Sequence, residues 1–400
     1  MSLFPAQAER NGTFMTVSAP LALYLHWPFC RSKCPYCAFN SHVREQVDQT
    51  RWRAALLREL ETARALTGPR PLESLFFGGG TPSLMPPETV AALIDRALTL
   101  WPPAAAPEIT LEANPDSAEA GRFRDFAAAG VNRLSLGVQA LNDRDLRSLG
   151  RRHSAAAARQ ALEIAAACFP RYSFDLIYGR PRQTAPAWRA ELRQALALAG
   201  DHLSLYELTV EPETPFHDRL RQGRLVLPPE GAAAALYAIT GEETARHGLP
   251  AYEVCNHARP GGESRHNLVY WRYGDYLGIG PGAHGRLTVD GEKRARLNIR
   301  TPEDWLQAVE SHGHGLAEET PVSPARRMRE ALLMGLRLCE GVPLDRLARE
   351  AGLEASRPPL DPLRLAQLQD GGFLTVTEDR LTATPAGRRR LNAVLAFLAD

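Results

Sequence analysis

Three cysteines stand close together near the start of the chain: Cys30, Cys34 and Cys37, spaced C-x3-C-x2-C behind the apolar run Tyr24-Leu25-His26-Trp27-Pro28-Phe29. Three thiolates on one short loop can hold three irons of a four-iron cubane and leave the fourth iron open to a ligand that is not protein. The pair Cys34-x-x-Cys37 is also compatible with half a zinc site or a redox dithiol. Zinc needs a fourth ligand; His26 and His42 are near in sequence, but no second cysteine pair follows. Six cysteines in 400 residues are not a disulfide framework, and the clustering of three near the start points to metal in a reducing compartment. Cys168, Cys255 and Cys339 are isolated and read as small buried side chains.

Other residues are suited to binding. In Gly78-Gly79-Gly80-Thr81 successive glycines let backbone approach a ligand with no Cβ in the way, although such a run can also be a plain tight turn. No Gly-Lys-Ser/Thr follows, so a phosphate loop is the weaker reading. Asp175 lies inside the apolar stretch Phe174-Asp175-Leu176-Ile177, where an acid is costly unless paired or near a ligand. Further on, His266-Asn267-Leu268-Val269-Tyr270-Trp271 and the neighbouring Tyr273 and Tyr276 put four aromatic rings near a histidine. That grouping can wall a flat macrocycle with the imidazole as axial iron ligand, or be a hydrogen-bonded core histidine among aromatics. His284, in the glycine-rich run Gly278–Gly285, is a second candidate ligand.

The elements that must position these residues follow a rhythm. Strands are expected at Leu21–His26, Ser74–Phe77, Glu108–Glu112, Arg133–Gly137, Tyr172–Ile177 and His202–Leu208, with amphipathic helices between them. Alternating strand and helix implies parallel strands with right-handed crossovers. Six units make an α/β fold, an open, partial (β/α)6 barrel over residues 21–210, with its chemistry at the C-terminal strand ends. Residues 211–320 are expected to complete the barrel and carry the histidine-aromatic block, with a strand at Tyr252–Cys255 and a hairpin at Asp290-Gly291. Residues 321–400 read as a small winged-helix-like C-terminal domain, a packing or docking module in preference to a DNA-binding one. Net charge is +1, which gives no electrostatic case for a nucleic-acid partner. Residues 1–20 hold no apolar run suited to a signal peptide or membrane span and are expected to be a disordered extension, with Met15 an alternative start and a cytoplasmic location.

The cysteine loop, with Tyr36 just before the last cysteine, resembles the signature of the radical S-adenosylmethionine (SAM) enzymes. Tyr24 through His42, Gly78–Ser83, Glu112-Ala113-Asn114-Pro115 and His266–Trp271 together resemble the oxygen-independent coproporphyrinogen III oxidase family, and within it the HemW-type heme chaperones most. The resemblance covers roughly residues 20–400 and implies a radical SAM barrel with a [4Fe-4S] cluster on Cys30, Cys34 and Cys37. It further implies SAM binding by Tyr24, Tyr36, Gly79, Gly80, Thr81, Glu112, Gln139, Arg151 and Asp175, with Arg152 an alternative to Arg151. Heme-related roles are implied for His266, Tyr270 and Trp271. The partners it implies are heme, heme-acceptor proteins such as those of the respiratory chain, and a low-potential electron donor. The oxidases show a fourth cysteine, C-x3-C-x2-C-x-C, where this chain has Phe39, which favours the chaperone over oxidative decarboxylation of coproporphyrinogen III. Arg180 and Glu207 stand where the family pattern has Leu and Gln.

Overall fold

The computed structural model describes residues 19–115, 120–353 and 360–399. The expected extension at residues 1–20 therefore lies almost wholly outside the described residues. Eleven strands form one sheet: β1 (Leu21–Trp27), β2 (Leu72–Gly79), β3 (Glu108–Ala113), β4 (Arg133–Gln139), β5 (Arg171–Tyr178), β6 (His202–Glu207), β7 (Asn256–Ala258), β8 (Asp275–Ile279), β9 (His284–Val289), β10 (Glu292–Asn298) and β11 (Leu316–Pro321). The first six run parallel in sequence order, as the strand-helix rhythm requires. β8 adds a seventh parallel strand on the far side of β1, and β9, β10 and β11 continue it antiparallel, while β7 closes the other edge against β6. The later segment thus lengthens the sheet at both edges. The expected strand at Tyr252–Cys255 begins later, at Asn256. The buried Glu253 carboxylate accepts the Cys255 N–H at 2.8 Å and the Asn256 side chain at 2.6 Å, taking the backbone donor a ladder would use.

Local chemistry explains the element ends. Ser154 and Thr184 accept hydrogen bonds from the first turns of the helices Ala155–Cys168 and Ala185–Leu198. Asp290 and Gly291, both at positive φ, make the tight turn between β9 and β10. On β1, Leu21, Leu23, Leu25 and Trp27 face the helical layer and form part of one continuous apolar core, so Tyr24 and His26 fall on the opposite, inward face.

The inward face is polar, and at the N-terminal end of the strands it is sealed. The helix Arg265–Trp271, capped by Ser264, places its first turn on the Glu108 carboxylate, which accepts the His266 N–H at 3.1 Å and an Arg171 guanidinium N–H at 2.8 Å. A second apolar core gathers Leu332, Leu336, Leu347, Leu374 and Leu381 in the C-terminal region. That region comprises the helices Pro324–Gly335, Leu344–Glu350 and Pro362–Asp370, a small antiparallel sheet in which Arg380–Ala383 pairs with both Leu374–Val376 and Val342–Pro343, and two short terminal helices where one was expected. It is tied to the sheet through Glu330, which pairs with Arg286 at 2.9 Å and accepts from the Tyr273 hydroxyl at 2.8 Å. Among the described residues no helix is long and apolar enough to cross a membrane.

Candidate functional site

At the C-terminal end of the strands the cysteine loop folds over a cavity. Cys30, Cys34, Cys37 and Tyr36 rim it together with Gly79, Gly80, Thr81, Glu112, Asn114, Gln139, Arg151 and Asp175. All three thiols are free and half-buried. Two are joined by a chain of donors. Arg151 Nη1 donates to Cys34 Sγ at 3.4 Å and Nη2 to Asn114 Oδ1; Asn114 Nδ2 donates to Thr81 Oγ1 at 2.9 Å; Thr81 Oγ1 donates to Cys30 Sγ at 3.5 Å. Burial pushes the Cys30 thiol up and the Thr81 hydrogen bond works against it. Hydrogen-bond donors aimed at sulfur suit thiolates that share charge with iron, so the donor set fits an iron-sulfur cluster. Among the described residues no three His, Cys, Asp or Glu side chains converge on a single-ion site.

Arg151 is the arginine that enters the site, through a further hydrogen bond to Gly137 O at 2.8 Å, whereas Arg152 is exposed at the rim. Gln139 ends β4 at φ 71°, a left-handed conformation that a non-glycine residue holds at a cost of about 1–3 kcal/mol. Gly79 has φ 113°, and a Cβ there would fall 2.7 Å from the His26 ring. The glycine is thus required by the backbone and by His26 beneath it.

Two carboxylates face this cavity, and burial outweighs the positive charges near them. Burial pushes Glu112 up to about 8, with nearby Asp175 adding to the rise and the Gly79 N–H opposing it. Burial likewise pushes Asp175 up to about 6, against a Ser204 hydrogen bond and the charges of Arg133 and Arg151. A cationic ligand would relieve both.

Glu112, Gly79 and Phe39 also border a second cavity of about 620 Å³, within the range of small-molecule sites. Its walls include Tyr24, Tyr270, Trp271 and Tyr276, with His26, His284, Arg300 and, from the C-terminal region, Met334. The Trp271 indole nitrogen is buried with no hydrogen-bond acceptor among the described residues. Volume, aromatic walls and an imidazole at the edge fit a porphyrin.

The structure brings fourteen of the fifteen expected residues to one cavity or the other at the C-terminal strand ends, with Tyr24, Tyr270 and Trp271 on the aromatic side. His266 does not join them. It is 1% exposed, and its two ring nitrogens are taken by Ser74 Oγ at 2.9 Å and the Tyr270 hydroxyl at 2.7 Å. Tyr273 is also turned away, into the core of the C-terminal region. Sequence reasoning missed His26 as an inward-facing group: Nδ1 meets the Tyr24 hydroxyl at 3.0 Å and Nε2 meets Asn40 O at 2.8 Å, and burial lowers it to about 4. The two-residue spacing of Tyr24 and His26 on a strand was the available signal. Asn114, central to the sulfur-linking chain, stood out in the sequence only as a member of the Glu112-Ala113-Asn114-Pro115 motif. The two departures from the family pattern are accommodated locally. Arg180 is buried between Glu191 and Asp145, and Glu207 is exposed.

The radical SAM superfamily profile matches residues 24–194, and the HemN C-terminal domain profile matches residues 322–390. The chain is 43% identical to the mitochondrial radical S-adenosyl methionine domain-containing protein 1 of Bos taurus, over 80% of this chain and 74% of that protein. It is 38% identical to the heme chaperone HemW of Escherichia coli K12, over 95% of this chain and 99% of that one. The solved structure of coproporphyrinogen III oxidase (HemN) from Escherichia coli, a radical SAM enzyme, shares the fold with a TM-score of 0.79, covering 95% of this chain and 90% of that chain at 24% identity. With near-complete mutual coverage of a HemW chaperone and both domain profiles in order, the chain belongs to the HemW family of the radical SAM superfamily.

Proposed function

We propose that the protein is a heme chaperone that carries a [4Fe-4S] cluster with SAM and transfers heme to acceptor proteins. The observation that carries this reading is the pairing of the two cavities: one rimmed by three thiols, the other walled by aromatic rings, with Gly79, Glu112 and Phe39 common to both. Cys30, Cys34 and Cys37 would hold three irons, and Arg151, Asn114 and Thr81 would keep two of the sulfurs in place. Gly79, Gly80, Thr81 and Glu112 would receive the amino-acid end of SAM, with Tyr36, Gln139 and Asp175 around the rest and Tyr24 behind Glu112. When bound to the reduced cluster, SAM is the superfamily's source of a carbon radical. Phe39 is 67% exposed at the border of both cavities, where the oxidase pattern has a cysteine. An apolar ring suits the edge of a porphyrin site.

The test uses full-length protein with verified cluster occupancy, supplied anaerobically with SAM and a low-potential reductant. Heme loaded on the protein is expected to pass to an apo-hemoprotein, and coproporphyrinogen III is expected to remain unconverted. Formation of protoporphyrinogen IX would make the protein an oxidase and overturn the chaperone reading.

A further inference from the structure

We infer that His284, and not the histidine of the His266–Trp271 motif, is the axial ligand to heme iron in the aromatic cavity, and that Arg300 binds a heme propionate there. This rests on the heme-carrier reading and names its ligands. Three histidines belong to or abut the cavity, and their hydrogen bonds separate them. His266 is spent on Ser74 and Tyr270, below the cavity, and His26 is spent on Tyr24 and Asn40. His284 opens β9 at the cavity edge, is exposed, and has no side-chain hydrogen bond among the described residues. An imidazole with an unengaged nitrogen can take iron at no cost in protein contacts.

The arginines nearby sort in the same way. Arg44 pairs with Glu303 at 2.7 Å, Arg286 with Glu330 at 2.9 Å, Arg294 with Glu319 at 2.8 Å, and Arg296 with Glu319 as well. Arg300 lines the cavity, and among the described residues its guanidinium has no acidic partner; only its carbonyl is engaged, accepting from Asn40 at 2.9 Å. A planar guanidinium at the exposed edge of an aromatic-walled cavity matches the carboxylate of an otherwise flat apolar macrocycle.

The backbone holding both residues is fixed from beneath. The buried Glu59 carboxylate accepts the Gly280 N–H at 2.7 Å and the Asn298 side-chain N–H at 3.1 Å, and Gly282 N donates to Ile299 O at 2.8 Å. His284 also pairs in register with Leu297, another cavity residue. His284 opens one strand and Arg300 follows two residues after the end of the neighbouring strand, on backbone tied by these hydrogen bonds.

The experiment is a heme titration of cluster-reconstituted full-length protein, read by the Soret band and affinity. His284→Ala is expected to shift the Soret band and weaken binding on the order of tenfold, and added imidazole is expected to restore the band. His266→Gln is expected to leave the band in place. Arg300→Ala is expected to weaken heme a few-fold without moving the band, and heme dimethyl ester is expected to bind wild type and Arg300→Ala alike. An unchanged band and affinity in His284→Ala, with circular dichroism and cluster absorption intact, would overturn the ligand assignment alone. Wild-type protein that takes up no stoichiometric heme would overturn the carrier reading itself.

Discussion

Glu108 and Glu112 lie on the same face of the same strand, four residues apart, and their environments are opposite. Glu108, at the floor of the barrel, is buried, yet Arg133, the His266 N–H and Arg171 outweigh that burial and hold its carboxyl below the usual range. Glu112, at the mouth, is pushed up to about 8 by burial and by nearby Asp175, which the Gly79 N–H and the charge of Arg133 do not offset. A compensated buried charge is a structural part, whereas an uncompensated one is left for a ligand to complete. The histidines repeat the contrast: His266 at the floor has both nitrogens engaged, and His284 at the mouth has neither engaged among the described residues.

Breaking the floor should cost most. Glu108→Ala would leave buried Arg133 without its carboxylate and the His266 N–H without its acceptor, while Arg171 keeps Asp201, and a loss of about 3–5 kcal/mol in denaturant unfolding is expected. A change under 1 kcal/mol would mean that the floor is not a structural element. At the mouth, Glu112→Gln is expected to keep the fold and lower SAM affinity on the order of 10- to 100-fold by calorimetry, the loss of charged hydrogen bonds of about 1.5–3 kcal/mol. Normal SAM binding in that variant would remove Glu112 from the site.

The pH dependence sharpens the same comparison. Because folding raises the Glu112 pKa to about 8, the native state binds more protons than the unfolded chain between its ordinary value and 8. The Glu112 contribution to the stability of the cofactor-free chain is therefore present at acid pH and lost as pH rises through about 8. Glu112→Gln should flatten that decline, which parallel urea curves at several pH values would show. Arg151→Lys keeps the charge but loses the fork that reaches both Cys34 and Asn114, so a shifted cluster absorption band with retained iron is expected. The smallest effect is expected for Arg152→Ala, within about 0.5 kcal/mol in stability and with an unaltered cluster spectrum.

The cysteine loop was legible because its three thiols are neighbours in sequence, Glu112 because strand ends in a parallel fold converge, and Asp175 because an acid inside an apolar stretch is costly without a partner. What was not legible depends on partners far away in the chain. Nothing near His266 announces that Ser74 and Glu108 will claim it, so its aromatic neighbours suggested a ligand where the fold makes a plug. Tyr252–Cys255 has strand composition, but the Glu253 side chain competes for its backbone. The strands after β8 lengthened the sheet beyond the six expected units because edge pairing is decided by which strand is still open, a property of the assembled fold. Arg300 carried no local signal at all; its significance comes from the paired state of every arginine around it.

The measurement that bears most directly on two neighbouring but separate cavities is a heme titration into cluster-loaded, SAM-saturated protein, following cluster absorption, bound SAM and the Soret band in one sample. One heme per chain is expected, with cluster and SAM retained. Heme uptake that expels SAM or bleaches the cluster would show a single shared site and contradict the division of the barrel mouth described above.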